Sequence, residues 1–247
     1  MSLRDDFPIL NTRINGAPLV YLDNAATLQM PLPVLNAVET LYRTHNGNVH
    51  RSAHALGRAT EDKMESAREA VRRFLGAAET EEIYFTAGTT DGVNALAELY
   101  ADQLLRPGDE IVVTEMEHHS NFLPWVRACE RTGAVLRVAP MTDAGELDMD
   151  AYRALLGDKT RLVAATWVSN ALGTVNDAEA ICRAAHDAGA AVLLDAAQAV
   201  LHVPVDVQRV GCDYLVFSGH KLGGLTGTGV LYARRACIER FAPERRG

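Results

Sequence analysis

Ala191-Val192-Leu193-Leu194-Asp195 and Tyr214-Leu215-Val216-Phe217-Ser218-Gly219-His220-Lys221 decide how this chain is built. Each is a short apolar run of the kind that forms a strand buried on both faces. An acid ends the first run, and an amine follows closely on the second. In open parallel sheets, ligands collect outside the carboxyl ends of the strands. Asp195 and Lys221 therefore fall where a ligand is expected.

Outward from these two runs, helical periodicity and short apolar runs alternate. Residues 33–44 put Val34, Val38, Leu41 and Tyr42 on one helical face. Residues 60–75 do the same with Met64, Ala67, Val71, Phe74 and Leu75, and Gly76 is the stop. A strand at 82–86, a turn at 88–90 and a helix over 91–105 come next, the helix broken by Pro107-Gly108. Strands at 110–114, 134–138, 161–168 and 190–195 alternate with helices at 122–132, 148–156 and 177–188. Further strands fall near 213–218 and 229–233. Strand, crossover helix and strand in repetition predict an α/β fold with a mostly parallel sheet flanked by helices. The expected division is an arm over residues 1–20 and one large ligand-binding domain over 21–247.

The composition fits a soluble enzyme: 48% hydrophobic, 23% charged, net charge −8. That charge gives no basic field for a nucleic acid, and no basic stretch interleaves with aromatics. The four cysteines, Cys129, Cys182, Cys212 and Cys237, form no CxxC pair, which predicts reduced thiols and a cytoplasmic location. The amino terminus has no apolar stretch of a secretory signal. The longest apolar region, 190–207, is interrupted by Asp195, Gln198, His202 and Asp206, so no membrane span is expected.

A carboxylate and an amine at neighbouring strand ends suit pyridoxal phosphate, whose aldehyde needs a lysine and whose ring nitrogen needs an acid. Gly88-Thr89-Thr90, between a strand and a helix, reads either as a threonine N-cap or as a phosphate cradle. Asp195 also reads as a helix cap, but a buried carboxylate costs several kcal/mol without a cation beside it. No metal is expected. His118-His119 have no Cys or carboxylate at ligand spacing, and His50 and His54 lack the Glu of a zincin motif. Gly227-Thr228-Gly229 is no dinucleotide fingerprint.

Seven blocks then stand in a telling order: YLDNAAT (21–27), GNVHRSAH (47–54), FTAGTTDGVN (85–94), EMEHHSNFLPW (115–125), VSNALGT (168–174), LLDAAQAV (193–200) and FSGHKLGG (217–224). Together they resemble the class V aminotransferase family, and more narrowly its SufS-type (group II) cysteine desulfurases. The resemblance runs from about Phe7 to the last residues. It implies the pyridoxal phosphate-dependent transferase fold type I, large domain, with the C-terminal small domain absent.

The resemblance assigns roles residue by residue. Lys221 corresponds to the lysine that forms the Schiff base, and Asp195 to the acid on the pyridinium nitrogen. Gln198 corresponds to the donor to the ring's phenolic oxygen, with Asn170 near the same edge. His118 corresponds to the histidine that stacks on the ring and shuttles protons. Thr89, Thr90, Ser218 and His220 correspond to the phosphate site. Asn24, Ala25 and Ala26 lie where the family's loop approaches the substrate carboxylate, and His50 and Arg51 belong to a segment near the active-site mouth. The implied reaction converts L-cysteine to L-alanine, leaves an enzyme persulfide and passes the sulfur to an acceptor protein of the SufE/SufU type for iron–sulfur cluster assembly. The implied assembly is a homodimer.

The chain departs from the family at two places. The family's persulfide cysteine and a substrate-binding arginine lie far downstream of the lysine, and none of the four cysteines here matches that nucleophile. A truncated chain unable to complete desulfuration alone is therefore expected. After the lysine, Gly223-Gly224-Leu225-Thr226-Gly227 stands where the family commonly has an aromatic followed by Gly-Pro-Thr-Gly, a change expected to loosen the loop. Met30 stands where a lysine is frequent. Alternative readings are another class V enzyme, such as a selenocysteine lyase or an epimerase-like relative, and a non-catalytic remnant that binds the cofactor or dimerises.

Overall fold

The computed structural model describes residues 3–50 and 53–242. A two-stranded hairpin, β1 (Arg13–Ile14) and β2 (Ala17–Pro18), sits in the leading segment. Seven strands form the main sheet: β3 (Ile83–Thr86), β4 (Glu110–Thr114), β5 (Val135–Ala139), β6 (Thr160–Thr166), β7 (Ala191–Asp195), β8 (Tyr214–Ser218) and β9 (Gly229–Ala233). Their order is β3-β9-β8-β7-β6-β4-β5. The contiguous strands β8, β7, β6, β4 and β5 are parallel, and β9 pairs antiparallel with both β8 and β3. The expected mostly parallel sheet is thus present, with one reversed strand. All other strands end on the same edge of the sheet.

Helices cover both faces. They are α1 (Leu32–Thr44), α2 (Ala55–Leu75), α3 (Thr89–Leu99), α4 (Leu123–Thr132), α5 (Met149–Leu155) and α6 (Ala178–Asp187). Alternate residues of each central strand enter different cores, as the two-residue period of a strand requires. Val163, Ala165, Val192, Leu194, Leu215 and Phe217 pack with Tyr152 of α5 and Ile181 of α6. Leu162, Ala164, Leu193, Tyr214 and Val216 pack with Val93 and Leu96 of α3 and Trp125 of α4. Both faces being covered explains why these strands read as continuous apolar runs.

Two helices differ from their sequence-predicted bounds. α2 begins at Ala55 rather than near 60, because the His54 ring nitrogen Nδ1 accepts the Gly57 N–H at 3.2 Å and caps an earlier start. The helix predicted over 91–105 begins at Thr89 and ends in a wide turn over Tyr100–Leu104, where Leu105 N–H reaches the Tyr100 carbonyl at 2.8 Å. That turn places the Tyr100 ring edge-on to both Trp125 and Tyr214, at 6.1 Å from each. No helix among the described residues is long and apolar enough to cross a membrane.

Candidate active site

The ends of β3, β4, β6, β7 and β8 meet at one cavity of about 470 Å³. Asp195 is the last residue of β7, and Lys221 follows β8 in a short helical turn, Gly219–Leu222. Because β7 and β8 are paired neighbours, both residues line the same cavity. Thr89 and Thr90 enter it from the start of α3, His118 from the loop after β4, and Asn170 from the loop after β6. Gln198, Ser218, His220, Ala25 and Ala26 also line it. Asn24 and His50 do not. Asn24 lies in a separate hollow with Phe7 and Leu19. His50 sits outside the cavity, its ring 3.5 Å from the Glu61 carboxylate. Arg51 lies outside the described residues.

Asp195 is 5% exposed. Burial pushes its carboxyl up from the usual range, opposed by the Ala197 N–H, then by the charges of Lys221 and His118. That N–H donates to Oδ1 at 2.9 Å and is the one protein donor to the carboxylate among the described residues. A buried acid with so little protein support is matched to a cation arriving in the cavity.

Another part of the lining is suited to meet an anion. The Thr89 N–H donates to Ser218 Oγ at 2.8 Å, and the two hydroxyls stand 2.9 Å apart. This contact fixes the N-terminus of α3 onto the end of β8, with Thr90 exposed beside it. The N-terminus of a helix carries partial positive charge and free N–H groups. Gly229 makes this junction close. A Cβ there would lie 2.5 Å from the Gly88 Cα and 2.7 Å from the Phe217 carbonyl oxygen, closer than packing allows.

The loop over residues 23–28 forms the cavity's rim and is held from the site side. The Leu28 N–H donates to the His220 carbonyl at 3.0 Å, and the His220 ring nitrogen Nδ1 stands 3.1 Å from the Thr27 hydroxyl. Burial and then the neighbouring Lys221 charge push the His220 ring below the ordinary histidine range. Gln198 donates its side-chain amide to the Ala25 carbonyl at 2.6 Å, so that amide is engaged with the rim.

The glycine-rich segment after Lys221 is tied in place. Gly224 N–H bonds to the Gly219 carbonyl and Gly219 N–H to the Thr228 carbonyl, each at 2.8 Å. The Thr228 hydroxyl caps the Leu225 carbonyl at 2.7 Å. Gly223 takes φ +82°, the left-handed conformation that ends the Lys221 turn and that an aromatic side chain would strain.

Further contributors were missed in the sequence, with Asp23, Val168 and Ala197 also on the lining. Thr166 and Ser120 line the cavity. Glu117 stands behind it, its carboxyl accepting from Thr114, Thr166 and Asn121. Burial raises that carboxyl from the usual range to about 8, against the pull of those three donors. Glu117 is inside a block quoted for its histidines, and its position directly before His118 was the available signal.

The chain matches the class V aminotransferase family over residues 20–247. It is 49% identical over 245 residues to a cysteine desulfurase of Synechococcus elongatus, covering 99% of this chain and 39% of that protein. It is 47% identical to a probable cysteine desulfurase of Halalkalibacterium halodurans, covering 96% of this chain and 58% of that one. Among solved structures it superposes on the cysteine desulfurase CsdA from Escherichia coli with a TM-score of 0.87 at 38% identity, over 99% of this chain and 60% of that one. A cysteine desulfurase from Thermococcus onnurineus gives a TM-score of 0.92 at 37% identity, over 99% and 59%. The chain therefore spans between two fifths and three fifths of these relatives' lengths. On the sheet order, the shared cavity and these matches, the chain belongs to the class V aminotransferase family.

Proposed function

We propose that this chain is the cofactor-binding large domain, over residues 21–247, of a pyridoxal phosphate-dependent cysteine desulfurase of the SufS type. Residues 1–20 are its leading arm. The observation that carries the reading is that Asp195 and Lys221, at the ends of paired strands, line one cavity together with the start of α3. The family depends on pyridoxal phosphate, and the donor set here fits that cofactor: an acid, an amine and a cluster of hydroxyls around one cavity. When bound, the cofactor supplies an aldehyde for a lysine and a ring that accepts electron density from a substrate's α-carbon.

Lys221 is the residue that would hold the aldehyde end through its Nζ. Asp195 keeps a proton on the ring nitrogen, because its buried carboxylate is stabilised by a cation facing it. His118 borders the same cavity, and its imidazole is suited to move a proton there. Thr89, Thr90, Ser218 and His220 hold the phosphate. Asn170 and Gln198 border the ring's polar edge, with Gln198 also fastening the rim. Ala25 and Ala26 on the rim, with Asn24, His50 and Arg51, are proposed to receive the substrate carboxylate, here that of L-cysteine.

The four cysteines do not supply the sulfur-accepting thiolate. Burial raises Cys129 to about 11 and Cys182 and Cys237 to about 12, and lifts Cys212 far above the thiol range. The reaction proposed for the whole protein is conversion of L-cysteine to L-alanine with formation of an enzyme persulfide. Sulfur delivery to a SufE/SufU-type acceptor for iron–sulfur assembly, a homodimeric state and a cytoplasmic location complete the proposal. The test is exchange of the α-proton of L-cysteine in deuterated buffer with pyridoxal phosphate added. The parent chain should exchange it, and Asp195→Ala should lose exchange while keeping the cofactor. Equal exchange by parent and variant would remove Asp195 from its role.

A further inference from the structure

Glu117 lies between β4 and His118, and its carboxyl touches three segments at once. Oε1 accepts from the Thr114 hydroxyl at 2.6 Å and from the Thr166 N–H at 2.7 Å. Oε2 accepts from Nδ2 of Asn121 at 2.6 Å. Thr114 ends β4, Thr166 ends β6, and Asn121 closes the short turn after His118. Asn121 is anchored in turn by the Trp125 indole N–H, 3.3 Å from its Oδ1. His118 is the first of the three residues between Glu117 and Asn121, and the one of them that brings a ring to the cavity. Its Nδ1 accepts the Ser120 N–H at 3.1 Å, with the Ser120 hydroxyl at 2.7 Å. A neutral imidazole whose Nδ1 accepts carries its proton on Nε2.

We infer that Glu117 is a positioning residue, whose carboxyl braces both flanks of His118 against the end of β6 and thereby sets the imidazole's orientation and tautomer at the cavity. The consequence for proton transfer rests on the function proposed above. The geometry explains why a carboxyl is needed. The Thr166 N–H and the Asn121 amide can only donate, one to each carboxyl oxygen. Both oxygens of a carboxyl keep acceptor lone pairs even when it carries a proton, which the Thr114 hydroxyl can receive. A glutamine would turn its NH₂ toward a donor, and an alanine would leave the Thr166 N–H and the Asn121 amide without their acceptor.

The test reads the ¹⁵N imidazole signals of His118 in the cofactor-free chain, assigned by their loss in His118→Gln. The parent should show the Nε2–H tautomer alone. Glu117→Gln should lose that single-tautomer signature, Glu117→Asp should recover part of it, and Asn121→Ala and Thr114→Val should each shift it in the Gln direction. The last two variants each remove one of the three bonds, so the result is read on whichever variants melt cooperatively. A folded Glu117→Gln or Asn121→Ala chain with the parent's His118 tautomer would overturn the inference, leaving Glu117 a structural residue only. Failure of the cofactor reading would appear separately, as absent pyridoxal phosphate uptake by the parent, and does not enter the tautomer measurement.

Discussion

Gln198 and Ala25, 173 positions apart in the chain, are joined by a 2.6 Å hydrogen bond from the Gln198 side-chain amide to the Ala25 carbonyl. Gln198 is buried just after β7, and Ala25 is exposed on the rim. The bond therefore ties the cavity floor, where Asp195 sits, to the loop that borders its opening. Gln198→Leu should cost about 1 kcal/mol of stability. It should also speed amide exchange at Ala26 and Thr27, whose N–H groups bond within this loop to Asp23. Hydrogen-exchange mass spectrometry of the 23–28 segment checks this, and unchanged exchange there would contradict it.

Glu117 makes stability depend on pH. Its folded pKa is raised from 4.5 to about 8, so the folded chain keeps a proton that the unfolded chain gives up. Its stabilising contribution is full below pH 4.5 and is lost as pH rises to about 8, with a slope of up to about 1.4 kcal/mol per pH unit. Asp195 is shifted in the same direction and remains in the variant. Denaturant melts of Glu117→Gln should therefore fall less steeply with pH than the parent's across that window. Parallel curves would show that Glu117 does not titrate as its burial implies.

Gly229 admits no side chain without moving the phosphate-facing junction, because a Cβ would meet the Gly88 Cα at 2.5 Å. Gly229→Ala should lower stability by about 1–3 kcal/mol. It should also weaken phosphate-dependent retention of the cofactor more than an alanine placed at Gly157, which has nothing within 4 Å and no left-handed backbone. Thermal melts and cofactor titration check the pair. Equal behaviour of the two variants would contradict the close approach.

The four thiols should resist alkylation. Each is pushed toward the protonated form by burial, and even the partly accessible Cys237 is raised to about 12. Iodoacetamide at neutral pH should label the folded chain slowly and the denatured chain rapidly at all four positions, read by peptide mass spectrometry. Rapid labelling of Cys237 in the folded chain would reopen it as a nucleophile.

Much of this architecture was legible in the chain itself. The strands at 110–114, 191–195, 214–218 and 229–233 were clear because burial on both faces leaves continuous apolar runs. The cavity followed from them, since a parallel sheet delivers its strand ends to one edge. The reversal of β9 was not legible: an apolar run carries no sign of its direction. The early start of α2 depended on a His54 cap, which lies outside the usual capping residues. Glu117 was missed for a related reason. Whether a lone acid after a strand turns inward depends on Thr166 and Asn121, which sequence does not bring beside it. His50 was placed near the mouth by resemblance alone; its ring stands beside Glu61 and does not line the cavity.

The most direct test of the account is the visible absorbance that appears when pyridoxal phosphate is added to the chain, to Lys221→Ala and to Asp195→Ala. The account predicts a new band in the parent, its loss in Lys221→Ala, and its persistence in Asp195→Ala. The same band in Lys221→Ala, or none in the parent, would contradict the assignment of this cavity as the cofactor site.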